Sequence, residues 1–126
     1  MSEVLYEVAT MKRILIVDDE AEICSLLKDE FESLGWCVDY SLDSQSAFEK
    51  VRTENFDVIL SDIRMPGGGG LEILRSLREE RALLPAVFLV TGDPDSSVEE
   101  ALALGARGVI AKPFSLADLI GTIIHS

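Results

Sequence analysis

The chain has 126 residues, and its 23 acidic residues against 11 basic ones give a formal net charge of −12. This length fits one domain large enough to bury its own core, and 48% hydrophobic with 27% charged residues indicate a globular chain. The acidic excess argues against direct binding to nucleic acid or to an anionic membrane, because both require a basic surface. It favours a cationic partner, either a divalent metal or a protein with a basic patch.

Two cysteines, Cys24 and Cys37, are too few for a disulfide framework, and both are expected to be small buried hydrophobes. The first residues lack a secretory signal, and no apolar run approaches the roughly 20 residues that span a bilayer. These features predict a cytoplasmic protein. Residues 1–11 show no periodicity and are predicted to be an extension before a single domain over residues 12–126.

Five short apolar runs alternate along the chain with five stretches of helical periodicity. In chain order the runs lie at residues 14–17, 36–38, 57–61, 86–90 and 108–111. The helix caps and stops are, in order, Gly35, Asp43 or Ser44, Asp93 with Pro94, Gly105, and Ser115 with Asp118. The apolar positions that recur at helical spacing in the first helix are Ile23, Leu26, Leu27, Phe31 and Leu34.

The alternation of strands and helices predicts an α/β fold with right-handed crossovers. Apolar runs of this kind are typical of parallel strands covered on both faces. Five units are too few for an eight-stranded barrel. The pattern therefore predicts a flavodoxin-like, doubly wound (βα)5 fold with a five-stranded parallel sheet in the order 2-1-3-4-5.

Polar residues follow the predicted strands directly. They are Asp18, Asp19 and Glu20 after the first strand, Asp62 after the third, Thr91 after the fourth and Lys112 after the fifth. Ligands of open α/β sheets bind outside these strand ends, and strands 1 and 3 are predicted neighbours, so Asp18, Asp19 and Asp62 are expected to meet. Carboxylates without a nearby His or Cys favour Mg2+. Glu20 is expected to serve the first helical turn rather than the metal.

A carboxylate beside Mg2+ can attack phosphorus and form an aspartyl phosphate. Such a transfer needs mainly alignment and neutralisation of charge. Lys112 is suitably placed to neutralise phosphoryl oxygens, and Thr91 to donate a hydroxyl hydrogen bond to another of them. Gly92 leaves room for the group to enter.

Taken together, these motifs resemble the receiver domain of bacterial two-component response regulators over about residues 12–125. The motifs are the VDDE run at residues 17–20, Asp62 with Met65-Pro66, Val90-Thr91-Gly92, and Lys112-Pro113-Phe114. The resemblance implies the role of each site residue. Asp62 is the phosphoacceptor and a metal ligand, Asp19 a direct Mg2+ ligand, Asp18 the acid that holds a metal-bound water, and the backbone carbonyl of Arg64 a further ligand. Thr91 and Lys112 contact the phosphoryl group.

The resemblance also implies partners. A histidine kinase or histidine phosphotransfer protein is the expected donor, and a downstream protein or fused output domain the expected receiver of the signal. Phosphorylation shifts an equilibrium at the face of the fourth helix, fifth strand and fifth helix. The domain acts on itself alone and is not expected to be an enzyme. Its apolar last helix suggests a phosphorylation-linked homodimer.

Two positions depart from the family pattern. Val109 stands where many receivers carry an aromatic switch residue, and Gly69 stands where an acid is common, inside a run of four glycines expected to add backbone freedom. Val109 keeps open the alternative that the domain is an interaction module that works without phosphorylation. Aspartyl phosphatases carry their two acids two residues apart after the first strand, and flavin-binding carriers need a phosphate loop there, so neither class fits Asp18 and Asp19.

Overall fold

The computed structural model describes residues 11–80, 84–92 and 96–126 of the chain. Residues 1–10 of the predicted extension, and the predicted helix start at Asp93 and Pro94, lie outside these ranges. The strands are β1 (Arg13–Val17), β2 (Cys37–Ser41), β3 (Val58–Asp62), β4 (Ala86–Thr91) and β5 (Gly108–Ala111). The helices are α1 (Ala21–Ser33), α2 (Ser44–Thr53), α3 (Gly70–Glu80), α4 (Ser96–Ala103) and α5 (Leu116–Ile124).

The five strands form one parallel sheet in the order β2-β1-β3-β4-β5, which confirms the predicted topology. In the register of β1 with β3, Val17 lies opposite Ser61, so the residues that follow these two leave the sheet side by side. In the register of β4 with β5, Thr91 lies opposite Ala111. The polar residues that follow the strands therefore lie together along the carboxyl ends of the strands, which form one edge of the sheet.

Buried apolar side chains form two clusters, one on each face of the sheet. Leu15 and Val17 of β1 belong to the cluster that packs under α2, α3 and α4. Ile14 and Ile16 belong to the one that packs under α1 and α5. Successive residues of a strand point to opposite faces, so a strand buried on both faces needs an unbroken apolar run. Each large side chain that is fully buried stabilises the fold by roughly 1.5–3 kcal/mol.

Several predicted helix ends are confirmed at the level of single hydrogen bonds. The Ser46 amide donates to the Asp43 side chain at 2.8 Å, which makes Asp43 the cap of α2. The Asp118 amide donates to the Ser115 hydroxyl at 3.0 Å at the start of α5. Gly35, just after α1, has a φ of 88°, a conformation that glycine adopts without strain.

Three local expectations were wrong. Cys37 is exposed, because it begins the edge strand β2, whereas Cys24 is buried as predicted. Leu26 is 54% exposed on the outer side of α1. β3 begins one residue later than predicted, at Val58, and the side chain of the preceding Asp57 accepts a hydrogen bond from the Arg13 amide at 2.8 Å. Within the described residues, no helix is both long and apolar enough to cross a membrane.

Candidate functional site

Backbone hydrogen bonds join the strand ends at which the polar residues lie. The Ile63 amide donates to the Val90 carbonyl at 2.8 Å, just beyond β3. The Lys112 amide donates to the Thr91 carbonyl at 2.8 Å, just beyond β5. The residues that follow β3 and β5 are thus hydrogen-bonded to the end of β4, which fixes the backbone from which their side chains extend.

Three consecutive acids form a cluster after β1, which we call the acidic cluster: Asp18, Asp19 and Glu20. Their carboxylate oxygens lie within 4.8 Å of one another. Asp18 is 6% exposed, and its side chain accepts a hydrogen bond from the Glu20 amide at 2.8 Å, whereas Asp19 and Glu20 are exposed. This donor set consists of oxygen alone and opens to solvent on one side, which suits Mg2+ with several retained waters.

Asp62 lies next to this cluster at the end of β3. Its carboxylate is 8% exposed, and its Oδ1 lies 3.1 Å from the Nζ of Lys112. Burial, and then repulsion from Asp18, raise the pKa of Asp62 to about 6 although Lys112 draws it down. The charged Asp62 is therefore costly in the isolated domain, and added positive charge would stabilise it.

Lys112 connects the two parts of the site. Its Nζ lies 3.1 Å from Asp62 and 4.0 Å from the Oε1 of Glu20. Partial burial disfavours the charged ammonium, but Asp62, with Asp18 and Glu20, outweighs it, so the pKa of Lys112 is raised. Lys112 therefore remains a cation whenever the site is working near neutral pH.

A cavity of about 200 Å3 opens above the Asp62 carboxylate. Thr91, Gly92, Arg64 and Lys112 are among the residues that line it. Thr91 is only 4% exposed, whereas Gly92 is exposed and a Cβ built on it would meet nothing within 4 Å. The cavity thus gives a small group access to Asp62 past a wall that carries a hydroxyl and an ammonium.

Most of the predicted site residues are brought together as expected. Asp18, Asp62, Thr91 and Lys112 lie at one edge of the sheet, with Asp19 beside Asp18. That the backbone carbonyl of Arg64 is a metal ligand stays a prediction.

The position of Glu20 differs from the sequence expectation. Glu20 is the N-cap of α1, but its side chain makes no cap hydrogen bond and joins the acidic cluster instead. The run of three acids was the signal that could have indicated this.

Cys24 of α1 contacts the backbone of the acidic cluster. Its Sγ donates to the Asp18 carbonyl at 3.5 Å. Burial, followed by repulsion from Asp18, raises the pKa of this thiol to about 11, so it stays protonated. Sequence reasoning identified Cys24 as a packing residue but missed this contact, because it depends on where α1 crosses β1.

Comparison with known proteins agrees with this geometry. The chain matches the model of the response regulator receiver domain over residues 14–124. It belongs to that family. Receiver domains are the phosphorylation-dependent signalling domains of two-component response regulators, and they bind Mg2+ at an acidic site. The family fixes the class of function and leaves the donor, the output and the individual residue roles to be argued.

Two curated relatives illustrate the family. The chain is 37% identical over 111 residues to the transcriptional regulatory protein TrcR of Mycobacterium tuberculosis, covering 88% of this chain and 43% of TrcR. It is 36% identical over 104 residues to the alkaline phosphatase synthesis transcriptional regulatory protein PhoP of Bacillus subtilis, covering 82% of this chain and 43% of PhoP. The chain thus spans less than half the length of these relatives.

Solved structures give the same fold. A CheY-like receiver domain protein from Methanospirillum hungatei is similar, with a TM-score of 0.84 and 31% identity, over 92% of this chain and 93% of that one. The response regulator TrrA from Thermotoga maritima, solved in complex with Mg(2+)-BeF, has a TM-score of 0.79 and 32% identity, over 91% of this chain and 98% of that one. Both alignments cover more than nine-tenths of this chain.

Proposed function

We propose that this receiver domain is a switch whose Asp62 accepts a phosphoryl group from a phosphohistidine on a histidine kinase or histidine phosphotransfer protein. The observation that carries the proposal is the setting of Asp62. Its carboxylate is nearly buried, contacts the Lys112 ammonium and adjoins the acidic cluster, yet a cavity opens above it. A purely structural aspartate would need the cation but not the cavity.

The chemistry follows from these neighbours. An Asp62 carboxylate oxygen attacks phosphorus and forms the O–P bond, while the P–N bond to the donor imidazole breaks with its electron pair returning to nitrogen. The Lys112 ammonium and the Thr91 hydroxyl neutralise and orient the phosphoryl oxygens.

The acids of the site would serve the metal. Asp18, Asp19 and Asp62 with the Arg64 carbonyl would hold Mg2+, and Glu20 lies close enough to Asp18 and Asp19 to join them. When bound there, the ion would supply positive charge that compensates the negative charge of the phosphoryl oxygens.

The same groups govern loss of the phosphoryl group by hydrolysis. Both reactions occur on the chain itself, and no external metabolite is turned over. We therefore propose that the domain is a switch and not an enzyme in the metabolic sense.

We further propose that the output leaves through the face formed by α4, β5 and α5. Leu102 of α4 is 51% exposed and Ile124 at the end of α5 is 42% exposed, so both helices of this face carry solvent-accessible apolar side chains. A downstream protein, a fused output domain or a second copy of the chain would read this face after phosphorylation. Val109 of β5 supports one alternative, a module that binds its partner without phosphorylation, because it lacks the aromatic ring common at this position.

The donor would approach along an apolar groove beside the site. A groove of about 500 Å3 includes Gly92 and Lys112 of the site and continues over Ile23 and Leu26 of α1 and Phe114. This gives a reason for the exposure of Leu26, since an apolar residue in a groove that reaches Lys112 of the site offers a donor protein contact area. We propose that the phosphohistidine protein covers this groove.

The central test is phosphorylation by a small donor. The chain is incubated with Mg2+ and acetyl phosphate, and its intact mass is measured. We expect one phosphoryl adduct, absent from Asp62→Asn and retained in Glu49→Gln, which changes an exposed acid elsewhere. No adduct on the folded parent chain under any donor would favour the phosphorylation-independent module.

The donor groove is tested by comparing two kinds of donor. We expect Leu26→Asp to slow transfer from a phosphohistidine protein while leaving acetyl phosphate transfer unchanged. Leu34→Asp is the matched control, because Leu34 is 51% exposed just beyond the far end of α1. Equal slowing by both variants, or slowing with both donors, would contradict the assignment of the groove.

A further inference from the structure

The four consecutive glycines at positions 67–70, which lead from β3 into α3, differ in backbone conformation and in packing. Gly67 and Gly68 have φ angles of 82° and 120°, in the left-handed region that favours glycine. The Gly68 amide donates to the Met65 carbonyl at 3.0 Å and closes a turn. Gly69 and Gly70 are not in that region, so conformation does not explain them.

Gly69 is packed against backbone. A Cβ built on it would lie 2.6 Å from the carbonyl oxygen of Ile63 and 3.0 Å from the Cα of Arg64. Real side chains do not approach that closely, and backbone atoms cannot rotate away as the end of a side chain can. Any side chain at position 69 must therefore move the loop.

Both ends of this contact are held in place. The Ile63 amide is tied to Val90 of β4, and Ile63 itself is buried. The Gly69 carbonyl accepts the hydrogen bond from the Ile73 amide at 3.1 Å that begins α3. The peptide bond between Ile63 and Arg64 lies at this contact. The backbone carbonyl of Arg64, on the far side of that residue, is the proposed metal ligand. A side chain at position 69 would therefore displace the backbone of Arg64.

We propose that Gly69 is a positioning residue for the metal and phosphoryl site. Its missing side chain lets the start of α3 sit on the Ile63–Arg64 peptide and so sets where the Arg64 carbonyl lies. The proposal rests on the proposed function, because it assumes that this carbonyl binds the cation. It gives a physical reason for glycine at a position where an acid is common in the family.

The test measures metal binding separately from stability. Mg2+ affinity is measured by isothermal titration calorimetry on the parent chain, Gly69→Ala and Gly69→Asp, with thermal unfolding of each. We expect Gly69→Ala to weaken Mg2+ binding on the order of tenfold, as supporting residues of metal sites do when altered. We expect Gly69→Asp to weaken it at least as much. Gly121→Ala is the control, because a Cβ there meets nothing within 4 Å.

A second readout separates positioning from a structural role. Phosphorylation by acetyl phosphate is followed as Mg2+ is raised. We expect the half-saturating Mg2+ concentration of Gly69→Ala to rise by about the same factor, with the rate at saturating Mg2+ restored. Unchanged Mg2+ affinity, a rate that stays low at saturation, or a Gly69→Ala chain that fails to fold would each overturn the proposal. If the parent chain binds no Mg2+, the proposed function itself fails, which is a different result.

Discussion

At the scale of single residues, Asp62 shows how function and stability oppose each other. A carboxylate that must attack phosphorus has to be charged, and near phosphate it must be shielded from water. Burial and the neighbouring Asp18 both disfavour that charge, and the Lys112 ammonium offsets part of this penalty. The charged form of Asp62 therefore remains unfavourable until a further cation binds at the site.

This conflict predicts the pH dependence of Asp62→Asn. The pKa of Asp62 is raised from an ordinary 3.8 to about 6, so the folded state binds the proton more tightly than the unfolded state. Folding stability therefore falls as pH rises between these values, and the penalty is complete above the higher one. Without divalent metal at pH 7.5, Asp62→Asn should be more stable than the parent by roughly 1–3 kcal/mol.

Urea unfolding at several pH values, with chelator present, measures this difference. The advantage of Asp62→Asn should shrink on acidification and be lost near pH 4, where the parent carboxyl is largely protonated. Glu49→Gln, at an exposed position, should show no such trend. An Asp62→Asn chain that is less stable than the parent at pH 7.5 would contradict the assignment of a strained, buried charge.

At the scale of elements, the strands were predictable and the loop packing was not. The runs at 14–17 and 86–90 could be recognised because strands buried on both faces tolerate only apolar residues. The order of the polar ends followed from topology, which placed Asp62 beside Asp18. The close approach of Gly69 to Ile63 could not be predicted, because it joins the two ends of a loop through tertiary packing. The exposure of Leu26 could not be predicted either, because helical spacing does not show that an apolar side chain lines a surface groove instead of the core.

Helix α4 is connected to α3 by polar contacts. Among its described side chains, Ala101 alone is fully buried. Arg75 of α3 forms ion pairs with Glu72 in its own helix and with Glu100 of α4. Arg78 donates to the Leu104 carbonyl at 3.0 Å, just after α4. Two arginines of α3 thus hold an element that belongs to the proposed output face.

We expect Arg75→Ala to loosen α4 more than it destabilises the domain. Exposed ion pairs contribute only about 0.2–1 kcal/mol, so the free energy of unfolding should change little. Hydrogen exchange of the α4 amides should nevertheless quicken roughly two- to fivefold, because local opening draws on this contact. Lys28→Ala is the matched control, since its partner Glu32 lies in the same helix. Equal effects of both variants on α4 would contradict the tether.

At the scale of the whole molecule, the net charge of −12 has two unequal parts. Asp62 and the acidic cluster gather four acids around Lys112 at one edge of the sheet. Most of the other acids in the described residues lie on helices and loops, where they act on one another through screening solvent. Among the residues that the structure describes, the acidic cluster is the group of three or more acids whose oxygens lie close enough together to hold a cation.

This division predicts that Mg2+ stabilises the domain beyond any effect of ionic strength. A ligand that binds the folded state alone adds about 2.7 kcal/mol at one hundred times its dissociation constant. Sodium chloride at matched ionic strength screens every charge alike and should raise the unfolding temperature less. Asp19→Asn should remove most of the difference between the two salts, whereas Glu49→Gln, which removes one negative charge as well, should keep it. If both salts stabilise the parent chain to the same extent, the acidic cluster is a solvated surface and not a metal site.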